Sequence, residues 1–191
     1  MTLFKKKYRI ESIRRWNWDY TGDGMYFITI CTRIKFPHFG RITDETMHLS
    51  KIGRIADSQW KEVPSHYDNV TIDDFIVMPD HVHAIMNIFG PKKPPRFITR
   101  EAPLRQPLSS PEATSLSNVI RQYKAGVTRW CSGAGLPFAW QPGFHDSIIM
   151  QSDLEDVRAY IRNNPRNWQK GGDEDRPWES RRPAEPGRMR D

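Results

Sequence analysis

The chain has 191 residues, of which 37% are hydrophobic and 12% aromatic, enough for one globular domain with a core. It contains no apolar stretch of about 18 residues and no apolar block after its N-terminal lysines, so neither a membrane helix nor a secretory signal is predicted, and a cytoplasmic location is expected. A formal net charge of +6 favours an anionic partner, and two cysteines are too few for a disulfide framework or a cysteine-rich zinc site.

The N-terminal segment mixes cations with aromatic residues, the combination that binds phosphates and stacks on unpaired bases. The candidate DNA-binding residues here are Lys5, Lys6, Lys7, Arg14, Arg15 and Trp16. The alternative is a solvated arm whose aromatic rings pack onto the domain.

The next part of the chain alternates strand and helix patterns. A β-branched and aromatic run over residues 25–32 predicts a central strand. A small hairpin is predicted from residues 40–43 and 46–49, around a polar turn. Apolar residues then recur at helical spacing over residues 50–67, with Ser50 as the N-cap.

A second hairpin is predicted after this helix. Residues 71–78 have a strand pattern, Pro79 and Asp80 form the turn, and His81–Ile88 is the returning strand. The segment 90–114 is rich in proline and in basic and polar residues. It is predicted to be either a functional flap or a disordered loop.

The last part of the chain has two helix patterns separated by a strand. Residues 115–130 predict a helix with Tyr123 on its inward face, and residues 140–150 predict a strand. The final helix begins with a capping-box pair, Ser152 and Glu155, and is expected to stop at Asn164-Pro165.

The order of elements is strand, helix, strand, strand, helix, strand, helix. This is the ferredoxin-like split βαβ arrangement with one added helix. It predicts an α+β domain over residues 1–170, with an antiparallel sheet and helices on one side. The charged, proline-rich tail at residues 171–191 is predicted to be disordered.

The pair His81 and His83 is the first candidate for chemistry. Side chains two apart on a strand project from the same face, so the two imidazoles can lie side by side and bind a divalent metal. Two surface histidines on an edge strand are the alternative. A histidine-triad hydrolase fits poorly because Ile85 stands where a third histidine is needed. An amidohydrolase barrel needs more chain, and a cupin needs an all-β chain.

Four segments make the comparison with known families more specific. They are FIVMPDHVHAIM at residues 75–86, SNVIRQYK at 117–124, WQPGFHD at 140–146 and YIRNNP at 160–165. In this order they resemble the single-tyrosine HUH transposases, and within them the REP-associated tyrosine transposases. The resemblance covers roughly residues 8–168. It implies an HUH endonuclease fold, with two histidines on the sheet and a nucleophilic tyrosine on a helix packed against it.

The resemblance also implies a chemistry for named residues. His81 and His83 would bind Mg²⁺ or Mn²⁺, which polarises the scissile phosphate. Tyr123 would attack the phosphorus and form a 5′-phosphotyrosine, while Tyr160 is interpreted as a core residue. A phenol with a pKa of about 10 is a weak nucleophile, so the neighbouring Lys124 or the metal is expected to favour the phenolate.

One position departs from the family pattern. Members of the wider family commonly place a third metal ligand, Gln or Asn, one helical turn after the tyrosine, where this chain has Val127. His145 on the last predicted strand is the first candidate for the missing ligand. The adjacent Asp146 is the candidate for orienting a histidine from behind.

Single-stranded or hairpin DNA is the partner that the resemblance implies. Lys92, Lys93 and Arg96 in the long segment and Arg121 on the helix are expected to line its path, although a basic surface that only confers solubility would have the same charges. The REP-associated branch is generally monomeric, so a monomer is expected.

Two other functions remain compatible with these residues. One is a non-catalytic DNA-binding descendant that has lost its metal, which the valine at position 127 leaves open. The other is a metal-dependent phosphodiesterase that uses water as the nucleophile, with Tyr123 purely structural.

Overall fold

The computed structural model of the chain describes residues 3–4, 8–9, 23–90 and 115–168. Its strands are β1 (Leu3–Phe4), β2 (Tyr8–Arg9), β3 (Gly24–Cys31), β4 (Gly40–Thr43), β5 (Thr46–Leu49), β6 (Val70–Val77), β7 (His81–Ile88) and β8 (His145–Ile148). Its helices are α1 (Lys51–His66), α2 (Leu116–Gly133) and α3 (Leu154–Trp168), with short 3-10 turns at Arg33–Lys35 and Gln151–Asp153.

Four strands form the central antiparallel sheet, in the order β6-β7-β3-β8. On one side of β3, Thr29 pairs with His83 and Cys31 pairs with His81; on the other side, Thr29 pairs with His145. Strands β1 with β2, and β4 with β5, form separate two-stranded pairs. The strand order is that of the ferredoxin-like fold, so the predicted split βαβ arrangement is confirmed.

Helices cover both faces of this sheet. Helices α1 and α2, the two helices of the split βαβ unit, lie together on one side as predicted, and the added helix α3 covers the opposite side. The first layer includes Ile28, Ala84, Met86, Trp60, Val119 and Tyr123. The second includes Phe27, Ile85, Val157, Tyr160 and Ile161. Alternate residues of β3 and β7 therefore enter different cores, because side chains alternate across a strand.

Local sequence signals explain how α1 begins and how the small hairpin turns. The Ser50 side chain accepts a hydrogen bond from the backbone N–H of Gly53 at 3.0 Å, which confirms the predicted N-cap. Asp44 and Glu45 have φ angles of 50° and 58°, which match the primed turn that best joins two antiparallel strands.

The last strand is shorter than predicted. The sequence pattern predicts it over residues 140–150, whereas β8 spans only His145–Ile148. Trp140 makes an isolated bridge to Thr32, and the intervening Pro142 and Gly143 interrupt the pairing. Gly143 has a φ of 73°, which strand residues do not adopt.

The last helix begins within one residue of its predicted start, but its predicted capping box and its predicted end are wrong. The Ser152 hydroxyl donates to Asp153 and the Glu155 carboxylate pairs with Arg158, so the predicted capping box does not form. The helix also continues through Pro165 to Trp168. Proline removes one helical hydrogen bond, and the buried position of Pro165 offsets this loss with apolar contact.

None of the described helices is long and apolar enough to cross a membrane. Residues 10–22, most of the predicted loop at 90–114 and the predicted tail at 171–191 lie outside the described residues.

Candidate active site

Two buried histidines lie side by side at the start of β7. His81 and His83 are 4% and 5% exposed, and their ring centroids are 4.4 Å apart. The His83 ring stacks on Phe27, which belongs to the core under α3. The structure thus brings the two imidazoles together, as their spacing predicts, on the face of the sheet that α3 covers.

Each imidazole is held by a hydrogen bond at Nδ1. His81 Nδ1 lies 2.6 Å from Oδ1 of Asp80, and His83 Nδ1 lies 2.9 Å from Oγ1 of Thr29. Because a carboxylate can only accept, His81 Nδ1 carries a proton and faces Asp80. Burial and the neighbouring His81 lower the pKa of His83 well below its usual value, which favours the neutral ring. Neutral imidazoles fixed at Nδ1 are suited to binding a metal through Nε2.

Helix α3 places a phenol against these imidazoles. The Tyr160 hydroxyl lies 3.4 Å from His83 Nε2, and the two ring centroids are 5.3 Å apart. Tyr160 also packs edge-on against Phe27 at 5.7 Å. A tyrosine predicted to be a core residue is therefore in contact with the histidine pair.

Asn164 occupies the next turn of the same helix face. Tyr160 contacts His83, and the Trp168 ring lies 5.8 Å from the His81 ring. Asn164 is four residues from each, so helical spacing directs its side chain to the face that carries these contacts. It is 9% exposed, a low value for a polar residue.

A small cavity of about 200 Å³ lies beside the two imidazoles and the Tyr160 ring. Its wall is formed by Thr29, Asp80, His81, His83 and Tyr160 together with Cys31, Lys35, Gln141 and His145. The cavity thus combines two imidazoles, a phenol and a lysine at one edge of the sheet.

Tyr123, the predicted nucleophile, lies on the other side of the sheet. It is 3% exposed, packs on Trp60 at 4.5 Å, and donates its hydroxyl proton to the Ala56 carbonyl at 3.2 Å. Burial raises its pKa above the ordinary value, which disfavours a phenolate. The prediction that Tyr123 lies beside the histidines is wrong, because the sheet separates its core from theirs.

The residues predicted to assist Tyr123 share its location. The Lys124 ammonium group donates to the carbonyls of Gln141 and Gly143 at 2.7 and 2.9 Å, so it holds the loop before β8 and is not next to the histidines. Val127 is fully buried in the core between α1, α2 and the sheet. The absence of a ligand atom at position 127 follows from this location.

The other candidate ligands are also separated from the histidine pair. His145 lines the same cavity, but its strand lies on the far side of β3, about 10 Å from β7 across two strand spacings. Asp146 is paired with Ile28, whose side chain packs toward α1 and α2, so Asp146 faces away from the imidazoles.

Of the predicted DNA contacts, only Arg121 is among the described residues. It is an exposed residue of α2 and donates a hydrogen bond to the Asn118 side chain. It does not line the histidine cavity. The others lie outside the described residues: Lys5, Lys6, Lys7, Arg14, Arg15, Trp16, Lys92, Lys93 and Arg96.

Comparison with known proteins identifies relatives of this chain. No family model matches it. A protein of Haemophilus influenzae described as uncharacterized is 31% identical over 161 residues, which are 83% of this chain and 89% of that protein. The chain belongs to the same family as that protein.

Solved structures define the fold more closely. A REP-associated tyrosine transposase bound to a REP hairpin matches with a TM-score of 0.53 and 21% identity, over 83% of this chain and 74% of its own. This chain has the fold of a REP-associated tyrosine transposase. A candidate transposase from Deinococcus radiodurans matches with 12% identity over 80% of this chain and 97% of its own, and its TM-score of 0.42 is too low to establish a shared fold.

In this transposase fold, sequence reasoning missed three residues that line the cavity and one residue on the next turn of α3. They are Thr29 and Asp80, which orient the imidazoles, and Tyr160 and Asn164, which come from α3. A signal for the second pair was present, since YIRNNP places an asparagine one helical turn after a tyrosine.

Proposed function

We propose that this chain cleaves and rejoins single-stranded DNA, with Tyr160 in place of Tyr123 as the nucleophile. The observation that carries the proposal is the 3.4 Å contact between the Tyr160 hydroxyl and Nε2 of His83, inside a cavity lined by both imidazoles. The fold shared with a tyrosine transposase supports it.

We further propose that His81, His83 and Asn164 bind Mg²⁺ or Mn²⁺. Among the described residues, no group of three or more His, Cys, Asp or Glu side chains is arranged to hold a metal ion. Asn164 follows Tyr160 by one helical turn, the position where members of the wider family commonly place an Asn or Gln ligand. The amide oxygen and water are ligands that suit these cations, whereas the imidazole nitrogens bind them more weakly than they bind zinc or copper. Bound there, the cation would polarise the scissile phosphate.

The chain's own residues would then act in a single displacement. The Tyr160 oxygen would lose its proton and form a bond to phosphorus, while the bond from phosphorus to the 3′ oxygen breaks and that oxygen takes up a proton. The product is a 5′-phosphotyrosine, which a 3′-hydroxyl can attack to rejoin a strand. Lys35, which lines the cavity, would offset charge on the phosphate oxygens.

The DNA partner is supported by charge and by the fold. A net charge of +6 attracts a polyanion, and the transposase of similar fold was solved with a REP hairpin. We propose single-stranded DNA beside a hairpin as the substrate class.

Two matched substitutions test the nucleophile. Tyr160→Phe and Tyr123→Phe each remove one hydroxyl from a buried ring, and only the first ring touches an imidazole. The proteins are incubated with a 3′-labelled oligonucleotide and Mn²⁺, because the fragment joined through its 5′ phosphate keeps that label. Tyr160→Phe is expected to abolish the labelled adduct on a denaturing gel, and Tyr123→Phe to retain it.

The same assay separates the competing functions. An adduct formed by Tyr160→Phe but not by Tyr123→Phe would overturn the proposed nucleophile. Cleavage without adduct that survives Tyr160→Phe would indicate a phosphodiesterase that uses water. Binding without cleavage at any metal concentration would indicate a non-catalytic DNA-binding protein.

A further inference from the structure

A second cavity lies beside the candidate active site, across the 3-10 turn at Arg33–Lys35. It has a volume of about 850 Å³, and its walls come from this turn and from residues 136–139. Its apolar lining is open to solvent: Ile34 is 86% exposed and Phe36 is 53% exposed. Exposed side chains of this size, adjacent to one another, mark binding surfaces more often than folding requirements.

The turn divides its side chains between the two cavities. Lys35 lines the histidine cavity, whereas Ile34 and Phe36 line the second one. Ile34 and Lys35 both have positive φ angles, 56° and 52°. A β-branched residue rarely adopts this conformation, and such outliers cluster at functional sites.

Hydrogen bonds attach the turn to the candidate active site. The Thr32 backbone N–H donates to the Asp80 carbonyl at 2.7 Å, and the Thr32 hydroxyl donates to the Phe36 carbonyl at 2.8 Å. The Arg33 N–H donates to the Ala139 carbonyl at 2.8 Å, which ties the turn to the opposite wall. Since Asp80 also orients His81, the rim of the second cavity is linked directly to the histidine pair.

The lining of the second cavity matches an unpaired nucleobase. The Phe36 ring packs on His38 at 4.6 Å, and His38 packs on Phe138 at 5.2 Å, which makes an aromatic wall with Phe36 at its open end. Arg33 also lines the cavity. Proteins bind single-stranded nucleic acid with aromatic rings that stack on the bases and with cations that contact the phosphate backbone.

We propose that this cavity binds one unpaired base of the DNA strand, next to the nucleotide whose phosphate enters the histidine cavity. Phe36 would stack on the base, and Lys35 would contact the intervening phosphate. The occupant follows from charge and continuity, because an apolar cavity that adjoins a phosphate site through a lysine suits a base attached to that phosphate. The inference rests on the proposed function for its ligand, single-stranded DNA.

Binding by fluorescence anisotropy tests this base pocket. Phe36→Ala is expected to weaken the affinity for a labelled single-stranded oligonucleotide by roughly 5- to 100-fold, the range for removing one aromatic stacking partner. Phe36→Trp, which keeps a stacking face, is expected to bind within about threefold of the unchanged chain. Phe89→Ala is the matched control, because Phe89 is 50% exposed and follows the far end of β7.

A series of oligonucleotides, each with one abasic site, locates the base that the pocket binds. One abasic position near the cleaved phosphate is expected to weaken binding by the unchanged chain and to have no further effect on Phe36→Ala. The inference is overturned if Phe36→Ala binds as tightly as Phe89→Ala, or if the chain binds no single-stranded DNA. The covalent adduct, measured in the same samples, reports separately on Tyr160. If an adduct forms but Phe36→Ala does not change the affinity, only the base pocket is overturned. If Phe36→Ala weakens the affinity but no adduct forms, only the proposed strand cleavage is overturned.

Discussion

At the residue scale, the candidate site depends on the group that holds each imidazole at Nδ1. Asp80 is 7% exposed, and its carboxylate accepts from His81 at 2.6 Å. Such a carboxylate fixes the orientation of the ring and makes its Nε2 a better ligand. We therefore propose that Asp80 positions the His81 ring, a role separate from the chemistry proposed for Tyr160.

Removing the charge of Asp80 is expected to weaken metal binding while leaving the fold intact. Asp80→Asn should reduce Mn²⁺ affinity by roughly 10- to 100-fold, as measured by calorimetry, because the amide is a poorer acceptor for the imidazole N–H. Asp68→Asn, the same change at an exposed position, is the control. Equal affinities for the two variants would exclude a role of Asp80 in metal binding.

Burial of His83 makes stability dependent on pH. Its pKa is lowered in the folded chain, so its contribution to stability is complete above the unfolded value of about 6.5 and is lost as the pH falls below it. In urea titrations without metal, the free energy of unfolding should fall between pH 7 and 5 by at most about 1.4 kcal/mol per pH unit from this group. His83→Gln should flatten that slope, whereas His66→Gln, at an exposed position, should not.

At the scale of elements, α3 is fixed to the sheet by ion pairs with β6. Arg158 binds Asp73 through two hydrogen bonds of 2.7 and 2.5 Å, and Arg162 binds Asp74 at 2.9 Å. These arginines lie on the helix on either side of Tyr160. The ion pairs thus hold the helix that carries the phenol in register with the strand next to β7.

Removing an ion pair between α3 and β6 is expected to slow adduct formation while the chain remains folded. Arg158→Gln should reduce the rate by roughly tenfold, because small displacements of a reacting group have large kinetic costs. Arg166→Gln is the control on the same helix, since Arg166 makes only a solvent-exposed contact with Glu45 at 3.6 Å. Equal rates for both variants would show that the ion pairs do not position Tyr160.

The elements themselves were mostly predictable, and the exceptions have local causes. Strand and helix periodicity placed β3, β6, β7, α1 and α2 within a few residues of their observed bounds. The end of α3 was missed because proline normally stops a helix, whereas here Pro165 is buried inside the helix, which continues to Trp168. The pattern at residues 140–150 predicted a longer strand than β8, because Pro142 and Gly143 interrupt the strand pairing.

At the scale of the whole molecule, all parts of the candidate site come from one chain. His81 and His83 lie on β7, Thr29 on β3 and Tyr160 on α3, and these elements pack in a single sheet-and-helix layer. The described residues of one chain therefore supply the histidines, the threonine and the tyrosine of this arrangement. This agrees with the expectation of a monomer without testing it.

Mixing inactive variants tests whether the site is completed within one chain. His83→Ala and Tyr160→Phe should each form no adduct, and an equimolar mixture should also form none, because no chain contains both groups. Each variant mixed with the unchanged chain provides the control for inhibition. Adduct formed by the mixture of the two variants would show that a tyrosine of one chain reaches histidines of another.

The sequence by itself determined that His81 and His83 share one face of a strand, and that Tyr123 and Tyr160 lie in the apolar stripes of two helices. Only the tertiary structure decided which tyrosine meets the histidines. An apolar stripe determines the side of a helix that is buried, but it carries no information on which face of the sheet buries it. That choice depends on how the chain crosses the sheet, and it places Tyr123 behind β7 and Tyr160 against the imidazoles.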